Sequence, residues 1–175
     1  MRDMSVAPYS PKWPTAFAAE AARLRMALGD LVVRIHHIGS TAVPGLAAKP
    51  VIDILLEVRD LSQLDASDRV MESLGYLPRG EYGIAGRRYY PKGGDARSHH
   101  VHAFVVGDEH VAKHLAFRDF LRSHPAVAAA YAETKRAAVT DHRHDPEGYQ
   151  LCKREFIART LHQAVAWVRG SKSDR

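Results

Sequence analysis

Cysteine is nearly absent from this chain. The single Cys152 excludes an internal disulfide and a multi-thiolate metal site, and with no base beside it in sequence it is expected to be inert. Long apolar runs are missing too. Nothing approaches the roughly 20 residues that a membrane-spanning helix needs, and MRDMSVAPYSPKW holds no signal-peptide apolar region, so a cytoplasmic protein with no membrane partner is expected. Glycine (12) and proline (9) are too few for a collagenous or low-complexity chain. No block of five Lys or Arg occurs, and no aromatic and glycine RNA-binding pattern, so nucleic acid is an unsupported partner. What is present is a globular composition, 46% hydrophobic and 26% charged over 175 residues, whose size predicts one domain spanning 1–175. The balance of 25 Lys+Arg against 20 Asp+Glu favours anionic partners, a nucleotide or phosphorylated small molecule above all.

The apolar spacing Phe17, Ala21, Leu24, Leu28 predicts a helix from Pro14 to Gly29. LVVRIHHI and VIDILLEV read as strands, joined by GSTAVPGLAAKP, whose glycines and prolines restrict it to an ordered loop with one helical turn. LSQLDASDRVMESLG predicts a second helix, YLPRGEYGIAGRRYY a hairpin around its glycines, and HHVHAFVVG a further strand with Asp108 as the following N-cap. Three helical patterns fill the last third, divided by Pro125 and by TDHRHDPEG. Strands early and helices late predict an α+β fold, a sheet backed by a C-terminal helical set.

The most informative stretch is HIGSTAVPGLAAKPVIDILLEV, where a Gly-Ser pair is followed thirteen residues later by Asp53 inside an apolar strand. Side chains alternate along a strand, so Asp53 and Glu57 share a face opposite Ile52, Ile54 and Leu56. A carboxylate buried without donors costs several kcal/mol, so Asp53 needs a metal, a base or a cation; the plainer alternative is that it accepts N–H bonds from the Gly-Ser loop. His100 and His102 alternate onto one face of HHVHAFVVG and, on a neighbouring strand, would complete a His and carboxylate metal site. Taken singly, His36, His37, His99 and His100 each also read as hydrogen-bonded structural residues, and His102 fits either role.

A Gly-Ser turn followed by an Asp strand resembles the nucleotidyltransferase superfamily. IGSTAVPGLAAKPVIDIL, HLAFRDFLRSHP, the Tyr131 and Lys135 pair and YQLCKREFI together resemble the GrpB family over roughly residues 9–165, whose members are stand-alone bacterial proteins or the C-terminal extension of some dephospho-CoA kinases. The chain has no P-loop, so no kinase activity is implied here. The resemblance implies a nucleotidyltransferase-like mixed sheet, a triphosphate held by Gly39, Ser40 and Thr41, and a divalent metal on Asp53. His102 stands where the superfamily places its third acid, so Asp53 and His102 are the catalytic candidates. Two-metal transfer commonly needs a second carboxylate at i+2 to bridge ions about 3.5–4 Å apart. That position is Leu55, and Glu57 lies about 6.6 Å along the strand, too far for the same geometry. Histidine ligands favour Mn²⁺, Zn²⁺ or Ni²⁺ over Mg²⁺.

Candidate cations for a phosphate are Lys49, Arg87, Arg88, Arg118, Lys135 and Lys153, each of which also reads as an ordinary solvated charge. Arg118 is the exception, because it lies close to the apolar stripe of its helix and needs an anionic partner: Asp53, Asp119 or a ligand phosphate. Tyr131 with Lys135 and Tyr149 with Lys153 are i, i+4 pairs that would bracket a base or phosphate, or simply cover the sheet. Ser40 and Thr41 lack a nucleophile elbow and fit phosphate contact or N-capping equally well. Two functions compete: an enzyme of nucleotidyl transfer, and a ligand- or partner-binding module that kept the fold and lost the second carboxylate.

Overall fold

The structure, a computed structural model, describes residues 6–142 and 145–173, without the side chains of Pro146, Tyr149, Gln150, Lys172 and Ser173. Helix α1 (Lys12–Leu28) stops at Gly29, whose φ of 55° lets its N–H turn back to the Arg25 carbonyl. It buries Trp13, Glu20, Leu24 and Leu28. Strands β1 (Val32–Ile38), β2 (Ile52–Val58), β3 (Arg88–Lys92) and β4 (His99–Val105) form one mixed sheet in the order β1-β2-β4-β3. The β2–β4 pair is parallel and the other two are antiparallel.

The helix expected over LSQLDASDRVMESLG is instead two short ones, α2 (Leu61–Ala66) and α3 (Asp68–Ser73). Asp60 caps α2 through the Ser62 N–H. The break falls at Ser67, whose hydroxyl donates back to the Gln63 carbonyl and competes with helix continuation. The glycine-rich hairpin keeps a regular strand on its second arm only. Its first arm runs alongside through the Leu77 N–H to Pro91 carbonyl and the Arg79 N–H to Tyr89 carbonyl bonds.

Strand alternation divides the sheet as its pattern predicts. Ile52, Ile54, Leu56 and Val58 face the main core with Trp13, Leu24, Leu64 and Met71. Leu55 lies on the other face with Ile38, Phe104 and Val111 of α4 (Glu109–Ser123). Asp108 caps α4 by accepting from the His110 N–H at 2.8 Å. Helices α5 (Pro125–Asp141) and α6 (Pro146–Ser173) complete the C-terminal set. Leu121, Ala128, Tyr131, Ala132 and Phe156 from these helices pack on Val43, Leu46 and Ala47, so the helical half pins the loop that joins β1 to β2. The result is an α+β fold, a mixed sheet backed by helices. Among the described residues no helix is long and apolar enough to cross a membrane.

A candidate metal and phosphate site

Asp53 opens β2 directly beneath Gly39. With φ of 73°, Gly39 sits in the region that disfavours side chains, and a Cβ there would stand 2.6 Å from Asp53 Oδ2. Only glycine lets the loop backbone approach the carboxylate this closely. The parallel register sets Asp53 opposite His100 and Leu55 opposite His102, so both histidines share its face. His100 Nδ1 is 3.2 Å and His102 Nε2 3.6 Å from Asp53 Oδ1. Among the described residues no loop N–H donates to Asp53, so the histidines, and not the Gly-Ser turn, compensate it. Burial alone would raise the Asp53 carboxyl, but the bonds and positive charge of His100 and His102 outweigh it and hold the group well below the usual carboxylate range.

One oxygen and two ring nitrogens, one from each of Asp53, His100 and His102, lie within 4.8 Å of one another. That donor set suits a borderline divalent metal of the Mn²⁺, Zn²⁺ or Ni²⁺ kind better than Mg²⁺. His102 Nδ1 is buried without a partner among the described residues. Such an orphan costs about 1–3 kcal/mol, and the fold carries that cost at a residue whose other nitrogen faces Asp53. Leu55 is fully buried, so no second carboxylate stands at the position that two-metal chemistry uses. Glu57 is occupied elsewhere: Arg34 grips it at 2.7 and 2.8 Å and His36 Nε2 at 2.7 Å.

The loop around Ser40 is held by cations from the helices. Lys135 Nζ donates to Ser40 Oγ at 3.1 Å and to the Ala47 carbonyl at 2.6 Å, with the Tyr131 ring 4.5 Å away. Burial, then the charges of Lys153 and Arg136, push this amine down to about 7. Arg118 has the partner its position demanded: it donates to Asp119 at 2.8 Å and to the His37 carbonyl at 3.1 Å. Thr41 is committed inward, donating to the Val51 carbonyl and accepting from His37 Nε2 at 3.0 Å, which leaves Ser40 as the hydroxyl nearer a cation. Tyr131 lies in the helical core, stacked on Phe156 at 4.8 Å. Arg88 pairs with Asp65 at 2.6 and 2.9 Å, away from this loop. Lys49 and Lys153 are half-buried, and the Tyr149 side chain lies outside the described residues. His36, His37 and His99 hydrogen-bond to Glu57 on the neighbouring strand, to Thr41 and to Ser98 respectively.

Three features escaped the sequence reading. His114 has its ring 5.8 Å from that of His102, and burial pushes it down to about 4. The signal was available, since His110, His114 and Arg118 recur every fourth residue and therefore share one stripe of α4. Tyr89 pairs with His102 across β3 and β4. Cys152 has a base after all: His142 Nε2 lies 3.5 Å from its sulfur, and Nδ1 of the same ring faces Asp145 at 3.2 Å. The pair joins a residue just after α5 to one inside α6, ten positions apart in the sequence, which spacing alone does not reveal.

Comparison with known proteins agrees with this architecture. The GrpB family profile, described as GrpB protein, matches residues 3–163. UPF0157 protein YqkA of Bacillus subtilis is 42% identical over 97% of this chain and 49% of its own length, so this chain spans about half of that relative. UPF0157 protein PA4798 of Pseudomonas aeruginosa is 43% identical over 95% of this chain and 69% of its own. The crystal structure of the conserved protein GrpB from Enterococcus faecalis superimposes with a TM-score of 0.90 at 37% identity, covering 94% of this chain and 99% of that one. A cytoplasmic RNA terminal U-transferase superimposes at 0.54 with 10% identity over 78% of this chain and 42% of its own, a likeness of fold alone. With the family profile covering nearly all of its length, the chain belongs to the GrpB family and has a nucleotidyltransferase-like fold.

Proposed function

We infer that this protein binds a nucleotide or another phosphorylated small molecule together with one divalent metal. The metal takes Asp53, His100 and His102, and the phosphates lie at Gly39, Ser40 and the Thr41 backbone, within reach of Lys135, with Lys49, Arg118 and Lys153 as further cations. The observation that carries this reading is the convergence of one carboxylate and two imidazoles beneath a glycine that admits no side chain. A buried lysine whose partners among the described residues are a hydroxyl, a carbonyl and a tyrosine ring, with no carboxylate, adds to it, because a cation kept off carboxylates can meet an anion. A bound metal would neutralise phosphate charge, while the chain's own residues orient the phosphates and exclude water. A cytoplasmic setting goes with this ligand class.

Nucleotidyl transfer, an acceptor attacking the α-phosphate, is the fuller form of the reading, with Asp53 and His102 at the reacting centre. The buried Leu55 favours the second form, a module that binds its ligand without transferring it. Calorimetric titration of nucleotides with Mn²⁺ tests the binding common to both. Asp53→Asn should weaken metal-dependent binding at least about tenfold, which is about 1.4 kcal/mol, with the fold intact. Unchanged affinity in that variant would leave Asp53 a structural residue.

A further inference from the structure

The turn between the two arms of the hairpin holds Tyr82 at φ of 46°, alone among the described non-glycine residues in having a positive φ. A bulky side chain in that region is strained, and such strain persists only where surrounding contacts impose it. Here they do. Arg87, itself only 8% exposed, donates from Nη2 to the Tyr82 carbonyl at 2.7 Å and from Nε to the Glu81 carbonyl at 3.2 Å, and the Glu81 carboxylate accepts from the Gly86 N–H at 2.8 Å. A buried arginine thus serves to fix one turn.

What the turn fixes is an exposed aromatic ring. Tyr82 is 63% exposed, yet its ring stacks on Tyr89 with centroids 5.1 Å apart and planes 23° off parallel. Tyr89 in turn lies 5.6 Å from His100 and 5.3 Å from His102, with the Arg87 guanidinium 5.1 Å from its centroid. A continuous aromatic ledge therefore runs from the two histidines out to solvent. Among the described residues no other ring meets Tyr82, so one of its faces is open.

We propose that Tyr82 and Tyr89 form a stacking subsite for the nucleobase of the ligand whose phosphates lie at Gly39, Ser40 and Thr41 beside the metal on Asp53, His100 and His102. The inference rests on the phosphate-binding reading above and adds the half of the ligand that it leaves unspecified. A ring held rigid in advance loses little entropy on binding, which is the use of the strain. Stacking reads the π-face and not the base edges, so the ledge accepts all four bases about equally.

Titration with ATP, CTP, GTP, UTP and inorganic tripolyphosphate, each with Mn²⁺, decides the matter. Wild-type protein should bind every nucleoside triphosphate more tightly than tripolyphosphate. Tyr82→Ala should weaken each nucleotide by about fivefold or more and leave tripolyphosphate unchanged, and Tyr82→Phe should restore the nucleotide affinity. Tyr82→Gly removes the ring and the strain together, so it should melt higher than wild type while losing the same nucleotide affinity; this keeps the test decisive should the alanine variant fold poorly. Equal losses for tripolyphosphate and nucleotides, or a wild type that binds tripolyphosphate as tightly as nucleotides, would overturn the ledge and leave the phosphate site standing. Binding of neither would overturn both.

Discussion

Asp53 and Glu57 sit on the same face of β2, and the two ends of that strand treat their carboxylates in opposite ways. Glu57 is closed off by a bidentate arginine and a histidine, a full ion pair that leaves no oxygen free for a ligand. Asp53 is given two imidazoles, partners that can release it, and keeps 29% of its side chain exposed. The cations follow the same division. Arg34, Arg88 and Lys92 all have carboxylates, whereas Lys135 rests on a hydroxyl and a carbonyl. Carboxylate burial alone would have pointed to Glu57; the kind of partner makes Asp53 the candidate.

The sharpest way to break this contrast is to remove the two acids in turn. Glu57→Ala should cost about 2 kcal/mol of stability in urea unfolding, because it empties a buried position and strands His36, and should leave ligand affinity within about twofold. Asp53→Asn should do the reverse, with little loss of stability and a large loss of metal-dependent binding. Equal stability losses in both would erase the distinction between the two ends.

A smaller effect is expected at Lys135. Its amine, pushed down to about 7 by burial, carries its proton in the unfolded chain up to the ordinary lysine range. The unfolded state therefore binds more protons between pH about 7 and about 10, and stability should rise with pH across that window. Lys135→Met should remove the rise, gain about 1 kcal/mol at pH 6 by deleting a buried charge, and weaken tripolyphosphate binding. Unfolding curves at pH 6 and 9 check the first two outcomes and calorimetry the third. A variant that loses stability at pH 6 would make Lys135 a structural cation.

The smallest effect belongs to the buried imidazoles. Burial pushes His37 and His114 down to about 4, from 6.5. The unfolded chain protonates first as pH falls, so the stability these rings contribute is complete above pH about 6.5 and is lost between about 6.5 and 4. His114→Gln should flatten that loss without abolishing it, since His37 remains. A melting temperature measured in steps from pH 7 to 4.5 would show it, and an unaltered slope would mean that His114 titrates alike in the folded and unfolded chain and contributes nothing to the loss.

Much of this site was legible in the sequence. Alternation alone put Asp53 opposite the apolar core and placed His100 and His102 together, but the close approach of Gly39 to the carboxylate was not read from the loop. Register was not legible: nothing in HHVHAFVV says that His100 lies opposite Asp53, because pairing of strands 47 residues apart depends on everything packed between them. The ledge escaped for a different reason. GEYGIAG reads as turn chemistry, and a tyrosine between glycines looks like decoration until its backbone angle and the arginine beneath it are seen together. Arg118 could be argued to need a partner, but Asp119 and the His37 carbonyl could be chosen only once α4 had been set against β1.

The parallel pairing of β2 with β4 has a kinetic side as well. Carboxylate and imidazoles become neighbours only when a long loop has closed, and long-range parallel contacts are entropically slow to form. Slipping the pair by one residue would turn His100 and His102 to the opposite face. On the metal-binding reading proposed above, metal affinity in a refolding experiment would serve as a clock for strand registration: it is expected to appear only after helical structure has returned.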